Sequence, residues 1–181
     1  MTRIISGRYA GRRLRVPPKG TRPTSDRVRE ALFSILAGRG ALHGTVLDLF
    51  AGSGALGFEA LSRGATALVA VESSRAAARI LRDNAADLHA PAQVREQPVE
   101  RYLRGTPTAF DLVLVDPPYA ADVDDVVVAL AGGWVSPEGT VVVERAARSG
   151  PPVQPALWEP WEERRYGETT LWLSASLSGA P

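Results

Sequence analysis

Asp116-Pro117-Pro118-Tyr119 follows directly on the apolar run Phe110–Val115. An acid that ends a buried strand and is followed by two prolines is more than a strand terminator needs. Pro117 restricts Asp116 to extended geometry. Each proline fixes its own φ and has no N–H. The Asp116 carboxylate and the Pro117 carbonyl thus form two oxygen acceptors in a rigid arrangement, with Tyr119 beyond them as a flat face for stacking. Two acceptors match an exocyclic amino group, which has two N–H donors. An aromatic amine is a weak nucleophile because its lone pair is delocalised into the ring. Hydrogen bonds from both N–H groups draw that pair back onto nitrogen. Holding the nitrogen about 3 Å from an activated methyl then supplies much of the acceleration. No covalent enzyme intermediate is needed, which suits a chain without cysteine.

A second constellation lies upstream. Gly52, Gly54 and Gly57 fit G-x-G-x-x-G, with Ser53 inside the loop, after the short strand pattern Thr45–Phe50. Glycines there allow a tight turn and close approach to a ligand, and the following helix N-terminus offers free N–H donors. Glu72 ends the next strand twenty positions after Gly52, where a carboxylate can accept from ribose hydroxyls. This signal fits NAD and it fits S-adenosylmethionine. Asp48, inside the first strand, favours the latter. A buried acid needs partners, and a sulfonium and an ammonium provide them where a pyrophosphate would not.

These residues need a scaffold. Five apolar strand patterns, starting at Thr45, Thr66, Ala92, Phe110 and Gly139, alternate with helical ones, and 161–167 and 169–174 form a closing antiparallel pair. The expectation is an α/β fold, a mostly parallel seven-stranded sheet with helices on both faces. Ligands in such sheets sit beyond the carboxyl ends of the strands. That places chemistry just after Phe50, Val71, Glu96 and Val115, and brings Ser73, Gln97, Pro98 and Val99 into the candidate cofactor set.

Residues 1–40 hold ten basic residues against two acidic, a net +8, while the other 141 residues carry a net −7. Such asymmetry points to a polyanionic partner. Residues 2–16 read as a small hairpin around Gly7 and Gly11, and a helical stripe follows from Val28 to Leu36, with Arg27 and Arg29 off it. We therefore expect a basic β-hairpin extension over 1–22 that meets a polyanion, and a catalytic domain over 23–181. The candidate contacts to that polyanion are Arg3, Arg8, Arg12, Arg13, Arg15, Arg22, Arg27 and Arg29. The start is too charged for a signal peptide and no apolar run approaches 18 residues, so a cytoplasmic protein is expected. His43 and His89 stand far apart in a chain without cysteine, so no protein metal site is expected.

"DLFAGSGALGFEAL" with Glu72 and "DPPY" resembles class I S-adenosylmethionine-dependent amino-methyltransferases. "RIISGRYAGRRLRVP", "TRPTSDRVREALFSIL" and "RRYGETTLWL" narrow the resemblance, over nearly the whole chain, to the RsmD family of bacterial methyltransferases of small-subunit ribosomal RNA. The resemblance implies a Rossmann-like class I methyltransferase fold, with S-adenosylmethionine as the cofactor. It implies transfer of a methyl group to N2 of one guanine in 16S rRNA, on an assembled or nearly assembled small subunit, by a monomer. It places Asp48, Gly52, Gly54 and Gly57 around the methionine end of the cofactor, with Phe50 and Ser73 as further cofactor candidates, Glu72 at the ribose, Asp116 to Tyr119 at the guanine, and the basic hairpin and the start of the first helix on RNA phosphates. Relatives often carry an Asp–Ala pair at the adenine where this chain has Pro98–Val99, which leaves Gln97, Glu96 or backbone to bind it. The competing readings are an N6-adenine DNA methyltransferase, which would need more chain to extrude a base from a duplex, a protein glutamine methyltransferase, an NAD-dependent oxidoreductase and a non-enzymatic RNA-binding module.

Overall fold

The computed structural model describes residues 2–17, 25–118 and 123–178. Tyr119 and Arg22 lie outside the described residues. The chain opens with β1 (Thr2–Arg3) and β2 (Arg13–Leu14), which pair antiparallel, followed by α1 (Asp26–Gly38). Then β3 (Thr45–Leu49), α2 (Ala55–Ser62), β4 (Ala67–Glu72), α3 (Arg75–Leu88), β5 (Ala92–Glu96), α4 (Val99–Leu103), β6 (Phe110–Val115), α5 (Val123–Leu130) and β7 (Val135–Ala146) alternate. The hairpin pair β8 (Glu162–Tyr166) and β9 (Thr169–Ala175) closes the fold.

The seven-stranded sheet has the order β5-β4-β3-β6-β7-β9-β8, with parallel pairing from β5 to β7 and antiparallel pairing beyond. This is the expected α/β sheet with its small hairpin. One face carries α1, α2 and α3 over a core that includes Leu32, Phe33, Phe58 and Leu61. The other carries α4 and α5 over Leu47, Val113, Val127 and Val141. Because both faces are covered, β6 is an almost unbroken apolar run. Buried nearly all round, α2 shows no amphipathic stripe. Helix starts follow side-chain chemistry: Ser25 accepts from Val28 N–H and Ser74 from Ala77 N–H.

The basic N-terminal segment is built into the first core layer. Ile4, Tyr9 and Leu14 are buried there with α1 and α2. The pairing of β1 and β2 covers only two residues on each strand, so side chains of the helices hold the segment. Glu59, fully buried in α2, accepts from Ile5 N–H at 2.7 Å and from Ser6 N–H at 3.1 Å. The Ser62 hydroxyl accepts from Tyr9 N–H and donates to the Ser6 carbonyl. Gly7 has a φ of +85°, and a Cβ there would fall on the Ser62 carbonyl, so the segment lies close against α2.

Arg29 requires a correction. As a candidate RNA contact it was expected to show its charge off the apolar stripe of α1, yet it is 1% exposed. Its guanidinium donates to Thr2 Oγ1, the Arg3 carbonyl and Asp26 Oδ1, so it ties the first strand to α1. The other side of α1 is needed to cover the sheet, and the hairpin folds over the side that sequence periodicity leaves free. Among the described residues no helix is long and apolar enough to cross a membrane.

Candidate active site

Register places the candidate residues at one level. Leu49 pairs with Val71 on one side and with Val115 on the other, and Glu72 pairs with Glu96. Phe50, Glu72, Asp116 and Gln97 therefore emerge together at the carboxyl rim, across β6, β3, β4 and β5. The order of strands reverses between β3 and β6, which is where such sheets open a crevice for ligands.

The chain turns sharply after β3. Phe50 has a φ of 61°, and Gly52 and Gly54 have φ of 56° and 83°. The left-handed region costs a bulky residue such as Phe50 about 1–3 kcal/mol, a strain typical of ligand-binding turns. A Cβ on Gly52 would meet nothing within 4 Å, so that glycine faces open space. A Cβ on Gly57 would lie 2.7 Å from Leu68 and 2.9 Å from Asp48 Oδ2, so that glycine lets α2 press on the sheet.

The loop is held from two sides. Glu72 Oε2 accepts from Gly52 N–H at 2.9 Å and Oε1 from Ser74 N–H at 2.7 Å. Each carboxylate oxygen keeps a lone pair for a further donor. On the other side, Asn84 Nδ2 donates to the Ser53 carbonyl at 3.0 Å. The N-cap of α2 is Gly54, which has no side chain to cap the helix.

Asp48 is buried beneath the turn, 1% exposed, and Oδ2 accepts from Gly57 N–H at 3.0 Å. Burial pushes its carboxyl up to about 8; the Gly57 hydrogen bond opposes this, and the charges of Asp116 and Glu72 push the same way. Three acids thus share one electrostatic neighbourhood. Among the described residues no group of three or more has metal-ligand spacing. The arrangement suits an extended organic cation and opposes a pyrophosphate.

Asp48 binds a proton in the folded protein that it lacks in the unfolded chain between about pH 4 and 8. Its raised pKa therefore favours folding most below pH 4, and that advantage is lost as pH rises through 8. Asp48→Asn keeps an oxygen for Gly57 N–H and removes the titration. The variant should gain up to several kcal/mol relative to the parent at pH 8.5, with the gain fading towards pH 4.5. Denaturant titrations at the two pH values check this; a gain that is the same at both would contradict the role given to the buried acid.

The remaining candidates divide. Asp116 and Pro117 are half-buried at the rim, with Pro118 exposed beside them. Gln97 is half-buried, and its N–H reaches the Glu72 carbonyl at 3.1 Å. Pro98 starts α4. The Val99 side chain is buried in the core beneath α4 and α5. Glu96 is ion-paired with Arg82 at 2.8 Å. Ser73 is exposed just beyond Glu72. The sequence reading missed Asn84, Glu59 and Ser62. Asn84 stands with Ala77, Leu81 and Leu88 on the buried face of α3, so a polar residue at an apolar position was the available signal.

The sheet order, the strained glycine turn and the acids at the rim are those of a class I methyltransferase fold. The match extends to the level of a family. The chain belongs to the family whose model is described as conserved hypothetical protein 95, which matches residues 2–175; this is the family of ribosomal RNA small subunit methyltransferase D. The Escherichia coli (strain K12) protein of that name is 40% identical over 170 residues, 92% of this chain and 85% of its own. The Haemophilus influenzae protein of the same name is 35% identical over 174 residues, 91% of this chain and 89% of its own. The solved structure of yhhF from Escherichia coli superposes with a TM-score of 0.89 at 36% identity, covering 97% of this chain and 98% of that one.

Proposed function

We propose that this protein transfers a methyl group from S-adenosylmethionine to the exocyclic N2 of a guanine in 16S rRNA, with an assembled or nearly assembled small ribosomal subunit as substrate. The observation that carries the reading is the placement of Asp116 and Pro117 level with the glycine turn, across the β3–β6 switch, over an acidic neighbourhood that favours a cation. The names of the relatives support ribosomal RNA as the substrate class.

When bound, S-adenosylmethionine supplies a methyl group on a positively charged sulfur. Glu72 would hold the ribose hydroxyls, and Asp48 and the N-terminus of α2 would face the methionine end. Asp116 and the Pro117 carbonyl would accept the two N–H donors of the guanine amine and orient its lone pair. With the methyl group passed from sulfur to this nitrogen, the amine would have one proton to lose, and Asp116 would be placed to accept it. Calorimetry with S-adenosylhomocysteine and with NAD tests the cofactor assignment: binding of the former and not the latter is expected, and the reverse would overturn it.

The RNA-facing surface follows from which cations are uncommitted. Arg12 donates to the Asp87 carbonyl, and Arg15 pairs with Asp83 and Asp87. Arg8 lies over the Tyr9 ring. Arg3, Arg13 and Arg27 are exposed and have no ion pair among the described residues. Arg3 and Arg13 line one concavity of about 350 Å³, and Arg27 with Arg165 lines another of about 360 Å³. The turn from β8 to β9 lies at the same end of the sheet as the active site, because β9 runs antiparallel to β7 from Ala146. Arg13→Ala and Arg27→Ala should each weaken subunit binding and reduce the salt slope by about 0.7–0.9 for each phosphate no longer neutralised. Binding isotherms over a salt series check this, and unchanged slopes would remove these arginines from the interface.

A further inference from the structure

Asn84 is a buried amide, 2% exposed, that bridges two distant parts of the chain. Its Oδ1 accepts from Arg15 N–H at 2.9 Å. Its Nδ2 donates to the Arg15 carbonyl and to the Ser53 carbonyl, each at 3.0 Å. An amide nitrogen has two donors, so each carbonyl receives one. Arg15 belongs to the basic N-terminal segment. Ser53 lies in the turn closed by the bond from Gly54 N–H to the Ala51 carbonyl, the turn whose Gly52 N–H is held by Glu72.

Because Asn84 itself is closed to solvent, water does not readily replace its bonds. Rotating the amide to release Ser53 also breaks the pair with Arg15, and lifting the segment off α3 leaves the amide without its main partner. The outer part of Arg15 reinforces this docked state, since its guanidinium pairs with Asp87 at 2.8 Å and Asp83 at 3.5 Å on the same helix.

We infer that Asn84 is a positioning residue that couples RNA engagement by the N-terminal segment to cofactor binding at the glycine turn, so that each ligand tightens the other. The inference rests on the two sites proposed above. RNA held by Arg3 and Arg13 across the β1–β2 pair favours the docked segment. The docked segment fixes the Asn84 orientation that holds the Ser53 carbonyl, and with it the turn that faces the cofactor. A ligand shifts such an equilibrium only through its preference for one state, and the resulting coupling is reciprocal.

The test is the affinity of unmethylated small ribosomal subunits for the full chain, measured by filter binding with and without saturating S-adenosylhomocysteine. In the parent protein the compound should tighten binding about tenfold, within the usual range for coupled sites. In Asn84→Asp, which keeps the acceptor for Arg15 N–H and loses both donors, the ratio should fall to about one. A role in stability alone would lower the melting temperature and leave the ratio intact, and that result overturns the inference, as does a parent ratio of one. A measurement that needs no variant is amide exchange over residues 51–55, which should slow about fivefold or more when subunits bind in the absence of cofactor. Unchanged exchange would also overturn the coupling. A parent protein that binds no S-adenosylhomocysteine at all by calorimetry would instead overturn the cofactor reading on which the coupling rests.

Discussion

Asp116→Ala should lower methyl transfer to small subunits by about a thousandfold, with affinity for S-adenosylhomocysteine changed by less than about threefold. Asp116 closes β6 at the level of Phe50, and Pro117 holds it extended. Its carboxylate is one of the two acceptors proposed for the amine, and it would carry the charge that stabilises the cationic nitrogen formed on methylation. It is not assigned a contact with the ribose, so the cofactor should still bind. Its charge also raises the pKa of Asp48, so its removal relieves repulsion within the site. Asp116→Asn keeps an oxygen acceptor and loses the charge, and it should retain intermediate activity. Single-turnover rates alongside calorimetry separate the two effects. Parallel loss of rate and cofactor affinity would show that Asp116 holds the cofactor rather than the base.

The largest effect on stability is expected from Glu59→Ala. Glu59 is fully buried and accepts from Ile5 N–H, Ser6 N–H and, at 2.7 Å, from Arg63 Nε, itself largely buried. Truncation leaves two backbone donors and a guanidinium without their acceptor. Breaking a buried charge pair in this way costs about 3–5 kcal/mol. For a chain of this size that is a fall of roughly 10 °C in melting temperature. Glu59→Gln should cost less, since one oxygen remains. Subunit affinity should fall with stability, because Glu59 holds the segment that bears Arg3, Arg8 and Arg13. A melting temperature within about 2 °C of the parent would mean that the segment is held by other contacts.

Much of this architecture is legible in the order of residues alone. Alternating apolar strands and amphipathic helices predict the parallel sheet, because burial on two faces and on one face leaves different periodicities. The residues that follow each strand predict the rim, because strand ends in this topology share one edge. The tertiary hydrogen bonds are hidden. Glu59 reads as an ordinary helix former until Ile5 and Ser6 lie against it. Arg29 reads as a surface cation because periodicity places it off the stripe that covers the sheet; Thr2 and Arg3 meet it from the other side, and Asp26 from the first turn of its own helix. Asn84 gives a local hint, a polar residue on an apolar face, but its partners are 69 and 31 positions away. The +8 of residues 1–40 is a true feature of the sequence, but part of it is engaged within the protein, and only the three-dimensional contacts show which arginines are exposed without an ion pair among the described residues.

The measurement that tests the central claim most directly is the chemical position of the transferred methyl. Small subunits lacking the modification would be incubated with the protein and methyl-labelled S-adenosylmethionine, the RNA digested to nucleosides, and the labelled product identified by mass spectrometry. Two acceptors gripping an exocyclic amine predict label on such an amine, and the proposed function predicts that it is N2-methylguanosine, confined to 16S rRNA and absent with Asp116→Ala. Label on a ring nitrogen, on ribose or on protein would contradict the account.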